Sequence, residues 1–138
     1  MFKPLFGACF VIFGLSACQS TPPQVEAVNL LGSWHIETAL SNPVIDNSPA
    51  QITFAEEGKL SGNNSCNRFF GDYSQQQDLL SLTPAGTTRM ACVEVLMQQE
   101  QDIMKAMPLV SNIKQSASGK LLLKSEDGAT LLVLVKQD

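Results

Sequence analysis

The chain has 138 residues, nine basic and thirteen acidic, for a formal net charge of −4. That length holds one domain, with a core large enough not to need many cross-links. An acidic chain without a basic stripe argues against nucleic acid as a partner, because phosphate neutralisation supplies much of that affinity. No polybasic cluster points to anionic lipid headgroups either.

The N-terminus carries one basic residue, Lys3, and then an uncharged apolar run from Leu5 to Leu15 broken only by Gly7 and Gly14. Small residues follow, Ser16 and Ala17, and then Cys18. A short positive region, an apolar stretch and small residues at its end make a secretory signal. The run is about half of the ~20 residues that cross a bilayer as a helix, so an uncleaved span is not expected. Leu15-Ser16-Ala17-Cys18 resembles the bacterial lipobox. That resemblance implies that residues 1–17 are a signal peptide and that the Cys18 thiol receives diacylglycerol, the new amine usually being acylated as well. One acyl chain binds membranes marginally, at roughly 0.8 kcal/mol per buried methylene, whereas three give a lasting anchor. The competing reading is ordinary cleavage, with Cys18 there by chance. Gln19, rather than Asp, follows the cysteine. This resembles outer-membrane sorting, with the domain facing the periplasm. Residues 18–29 read as a lipidated flexible tether, since Gln19-Ser20-Thr21-Pro22-Pro23-Gln24 is polar and proline-containing.

The folded domain is expected over residues 30–138. Ser33 to Thr38 alternates, Trp34 and Ile36 opposing His35 and Glu37, which predicts a half-buried strand. Asn42 to Pro49 reads as loop. Gln51 to Ala55 alternates again, and Glu56-Glu57-Gly58-Lys59 turns it into a strand through Leu60. Gly62-Asn63-Asn64-Ser65 is turn chemistry. Further strands are expected at Arg68–Tyr73, Leu79–Leu82 and Thr87–Met90. From Val93 to Met107 there is no Gly or Pro. Leu96, Ile103 and Met107 share a helical face there, and Pro108 marks the end. Lys120–Ser125 and Ala129–Lys136 flank Glu126-Asp127-Gly128, a strong hairpin signal. The run Leu131-Leu132-Val133-Leu134-Val135 predicts a strand covered on both faces. Seven or eight short strands and one helix give an α+β fold: a curled antiparallel sheet, or partly open small barrel of hairpins, with the helix plugging one side or end.

Cys9 leaves with the signal and Cys18 takes lipid, so Cys66 and Cys92 remain. In an oxidising compartment an even pair reads as one bridge, worth ~3–4 kcal/mol for a loop of this size. Two free or functional thiols are the alternative. Arg68 and Arg89, the only arginines, lie close to those cysteines in sequence. They form an anion or partner contact, or else pair with nearby acids and cap carbonyls. Asn67 is expected to bond its own turn, and Gly62 and Gly71 to serve tight backbone positions. His35 is the only histidine. A Cys–His nucleophilic pair would need a free thiolate beside it. Met90, Cys92, Met97, Met104 and Met107 offer soft sulfur for copper(I), although methionine serves equally as core filler. No phosphate loop, zinc spacing or calcium loop is present, and no catalytic residue, metal or cofactor is expected.

Several segments together resemble the META domain family. They are Leu31-Gly32-Ser33-Trp34, Ile52-Thr53-Phe54, Leu60-Ser61-Gly62, Ser65-Cys66-Asn67-Arg68-Phe69-Phe70-Gly71-Asp72-Tyr73 and Thr87-Thr88-Arg89-Met90-Ala91-Cys92, followed by a helix containing Glu100. The resemblance spans roughly residues 30–136. One departure is Ser65, where the family often has glycine. The resemblance implies a small α+β domain linked with heat induction and envelope stress, in some bacteria with novobiocin tolerance, and with no established enzymatic activity. The expected function is a non-enzymatic lipoprotein that binds an apolar ligand or an envelope protein, held to the membrane through Cys18. The alternative is a redox-active or metal-handling protein using Cys66 and Cys92.

Overall fold

The computed structural model describes Pro22 and residues 26–138. The expected signal peptide, the lipidation site Cys18 and most of the tether lie outside the described residues. The strands are β1 (Gly32–Ala39), β2 (Asn42–Pro43), β3 (Gln51–Phe54), β4 (Lys59–Asn63), β5 (Arg68–Gln76), β6 (Leu79–Thr87), β7 (Asn112–Gln115), β8 (Leu121–Lys124) and β9 (Thr130–Lys136). One helix, α1 (Glu94–Ala106), lies between β6 and β7 and runs into a 3-10 turn, Met107–Leu109.

Every strand pairs antiparallel with its neighbour in the order β1, β3, β4 and onward to β9, and β9 returns to β1. The fold is therefore the α+β barrel expected from the sequence, with eight strands closed on themselves. The two-residue β2 is a flap on β1. Closure runs from Trp34 opposite Lys136 to Ala39 opposite Leu132. The narrow seam is β6 against β7, which meet in register only at Leu79 and Asn112. Two backbone bonds extend it, Leu80 N–H to the Ser111 carbonyl at 3.0 Å and Ile113 N–H to the Asp78 carbonyl at 2.8 Å.

Alternation along each strand sends one row of side chains inward. Trp34, Ile36, Ile52, Phe54, Leu60, Phe69, Leu80, Leu82, Leu121, Leu123, Leu132 and Leu134 are all at most 3% exposed and join in one cluster. Side chains thus fill the barrel, each contributing roughly 1.5–3 kcal/mol by burial. The buried Trp34 indole N–H donates to the Leu30 carbonyl at 2.7 Å. Val28 already packs on this core, so the chain joins the fold before residue 30.

Three local readings differ from expectation. The strands expected at Leu79–Leu82 and Thr87–Met90 are one strand, β6, which ends at Thr87. It passes through Pro84, which stands opposite Gly71 where the register shifts. A bulge tolerates a residue without an N–H. A side chain on Gly71 would overlap the Thr83 carbonyl oxygen, and one on Gly62 the Gln51 carbonyl and the Phe69 ring, so both are the tight positions expected. Strand β7 was not expected, because Ile113 is its one buried residue. In β9, Leu131, Leu132 and Leu134 are buried, whereas Val133 and Val135 are only half-buried on the outer wall.

The helix forms as expected, one residue shorter at each end. Ile103, Ala106 and Met107 are buried and Leu96 is half-buried. It packs on the end of the barrel where β1 finishes and β5 begins, and the Asn42 amide there donates to the Asp102 carboxylate at 3.0 Å. No helix among the described residues is long and apolar enough to cross a membrane.

Tyr73 is the chain's one tyrosine. Its hydroxyl donates to the Ala55 carbonyl at 2.8 Å, and its ring meets Phe54 edge-on at 5.0 Å. Burial pushes its phenol above the ordinary tyrosine value. The neutral form is therefore favoured by folding. Its contribution is whole below about pH 10 and is lost as pH rises through the raised folded value. An ultraviolet titration of phenolate is expected to show a higher midpoint in the folded protein than in urea. Coincident midpoints would contradict this.

Candidate functional site

The segment Asn64–Asn67, between β4 and β5, meets residues 88–92 at the start of α1. Cys66 and Cys92 form a disulfide, their Cα atoms 5.8 Å apart, within the range a bridge spans without strain on the backbone. Cys66 is 4% exposed and Cys92 half-buried. Around the bridge lies a buried polar network in which every group has a partner. The Asn64 side-chain Oδ1 accepts the N–H groups of Cys66 at 3.3 Å and Asn67 at 2.7 Å, closing the turn. The Asn67 side-chain Oδ1 accepts the Met90 N–H at 2.6 Å and the Thr88 hydroxyl at 3.0 Å. Its amide donates to the Met90 carbonyl at 3.3 Å and to Glu100 Oε1 at 3.0 Å. Glu100 Oε1 also accepts the Asn64 amide at 3.2 Å. Asn67 was expected to serve its own turn. It instead stitches the 88–90 backbone and the helix to that turn, and Asn64 does the turn's work.

Ser65 stands at φ 90°, the left-handed region that favours glycine. The serine is held there by its bonds. Its N–H donates to Asn63 Oδ1 at 2.9 Å, and its hydroxyl donates to Gln99 Oε1 and meets the Ser48 hydroxyl, both at 3.0 Å. Ser65→Ala is expected to cost more than Ser65→Gly. Both lose the hydroxyl bonds, about 1 kcal/mol each, but alanine keeps the strain of roughly 1–3 kcal/mol. Urea midpoints of the two variants check the order.

The sequence-predicted candidates divide around this site. Arg68 and Arg89 are both exposed. Among the described residues the ion pairs are Lys59–Asp72 and Lys120–Glu37, and neither guanidinium meets a carboxylate or caps a carbonyl. The Arg68 N–H and carbonyl bond the Thr88 hydroxyl and N–H, at 3.1 and 2.9 Å, which places Arg89 one step from the neighbour of Arg68. His35 is in β1, paired with Gln51 and Val135, away from the bridge. The methionines do not share a setting. Met107 is wholly buried, Met104 packs on the core, and Met90 and Met97 are exposed. Among the described residues no cluster of His, Cys, Asp and Glu is suited to a metal ion.

One feature escaped the sequence reading. Met90, Val93, Val95 and Met97 are 62, 65, 46 and 36% exposed. Val95 and Met97 lie off the Leu96–Ile103–Met107 face, and Met90 and Val93 precede the helix. The surface also carries open grooves, the largest about 640 Å³ between Glu26, Val28, Asp78, Ile113, Lys114 and Lys124. It has mixed charge and lies outside the barrel.

No curated protein matches the chain in sequence. Solved structures resemble it in fold. One, an NMR structure of a protein from Burkholderia xenovorans, is 24% identical, with a TM-score of 0.60 over 91% of this chain and 99% of that one. Another NMR structure is 25% identical, with a TM-score of 0.57 over 76% of this chain and 88% of the other. The crystal structure of a DUF4847 family protein from Bacteroides vulgatus is 16% identical, with a TM-score of 0.58 over 79% of this chain and 96% of that one. The META domain pattern matches residues 28–138, the whole barrel with its helix and bridge. The chain belongs to the META domain family.

Proposed function

We propose that the protein is a non-enzymatic lipoprotein of the envelope stress response, anchored in the outer membrane through Cys18 with its domain in the periplasm, and that it binds a partner protein on its outer surface. The observation that carries this reading is the filled barrel. Trp34, Ile52, Phe54, Phe69 and Met107 occupy the interior where an acyl chain would lie. Binding is thereby directed to the outside, where Met90, Val93 and Met97 are exposed. A redox or metal-handling role for Cys66 and Cys92 draws little support from a bridge whose Cys66 is 4% exposed.

Complementation of a deletion strain tests the proposal. The full chain is expected to restore survival of heat and novobiocin, and a variant with residues 1–18 replaced by an ordinary cleaved secretory signal, exported but unanchored, to fail. Equal rescue by both would remove the anchor from the function. Absence of any phenotype in the deletion would remove the stress role.

A further inference from the structure

Among the described residues, nine large apolar side chains are exposed; Val93 and Met97, four residues apart at the start of α1, share one face, Met90 precedes them, and Val95 turns to the other side of the helix. Phe70, 61% exposed, is on the adjoining strand. Isolated exposed apolar residues are ordinary, but a gathered set on a folded surface marks an interaction site. We propose that this knuckle docks a segment of a protein partner in which carboxylates stand beside apolar side chains. The inference rests on the partner-binding reading above and gives it a place and a chemistry.

Two observations select that occupant. The first is charge. In a chain of formal charge −4, the only two arginines flank the knuckle, and neither has an acidic partner among the described residues. Glu94 stands in the first turn of α1 and the Glu100 carboxylate is taken up by the Asn64 and Asn67 amides, so neither acid meets a guanidinium. A guanidinium offers a planar fork matched to carboxylate. The second is rigidity. The bridge fixes Cys92, and Asn67 holds both the N–H and the carbonyl of Met90, so little ordering is left to oppose binding.

The test uses the lipidated full-length protein in detergent. A displayed random peptide library is panned on it, and vesicles of phosphatidylglycerol serve as the lipid probe. The expected result is convergence on peptides with Asp or Glu beside apolar residues. Their binding should fall about tenfold or more in Val93→Asp/Met97→Asp and in Arg68→Ala/Arg89→Ala, and hold in Lys114→Ala/Lys124→Ala, which alters the largest groove instead. All these positions are exposed or on the surface, and unchanged urea midpoints establish that the variants fold. The proposal is overturned by failure to converge, by binding indifferent to the knuckle changes, or by knuckle-dependent binding to the vesicles in place of peptides. A protein partner that co-purifies with the wild type and persists in the knuckle variants would overturn the inference while leaving the partner-binding reading intact.

Discussion

Replacing Cys66 and Cys92 together by alanine is expected to destabilise the domain by about 3–4 kcal/mol, because the bridge closes a loop across a sequence separation of 26. For a domain of this size that corresponds to a fall in Tm on the order of 15 °C. Segment 88–92 has no strand pairing of its own, since β6 ends at Thr87. Its remaining ties to the barrel would be Asn67 and the two Arg68–Thr88 bonds at its first residue. Backbone amides around Met90 should therefore exchange faster in the double variant than those of β3 and β9, which belong to long ladders. A small, uniform change in protection with little loss of Tm would show that the bridge merely decorates a segment held by packing.

Asn67→Asp is expected to cost about 2–4 kcal/mol near neutral pH. The amide that donates to Glu100 Oε1 at 3.0 Å is exchanged for an oxygen, and two carboxylates then face each other in a site only 3% exposed at position 67. The sign with pH follows from that repulsion. Like charges raise the folded pKa of the introduced group above its unfolded value near 4. The variant's stability is then whole below that unfolded value, where the pair holds a proton, and is lost as pH rises through the raised value. Urea midpoints should recover on acidification relative to wild type. Adding Glu100→Gln should restore much of the loss at neutral pH. Failure of Glu100→Gln to rescue would place the cost elsewhere in the network.

Local periodicity made most of the barrel legible. Trp34 and Ile36, Ile52 and Phe54, and the Asp127-Gly128 turn each declare an element through neighbours two or three residues away. Lone signals were not legible. Strand β7 buries only Ile113, too little to show a period, and β6 crosses Pro84 because a bulge in β6 itself, at Ala85, permits it. Closure of β9 onto β1 joins Trp34 to Lys136 and depends on the curl of the whole sheet. The bridge could be expected by pairing the cysteines left after export. The role of Asn67 could not, because its partners Met90 and Glu100 lie 23 and 33 residues away. The knuckle was hidden by the convention that apolar residues beside a helix belong to the core.

Native mass spectrometry of the detergent-extracted full-length protein tests the central claim most directly. The account predicts acyl chains attached covalently at Cys18, an empty-handed barrel, and a stoichiometric protein partner released by Val93→Asp/Met97→Asp. A monomer carrying one non-covalent acyl lipid, with Cys18 unmodified, would contradict it.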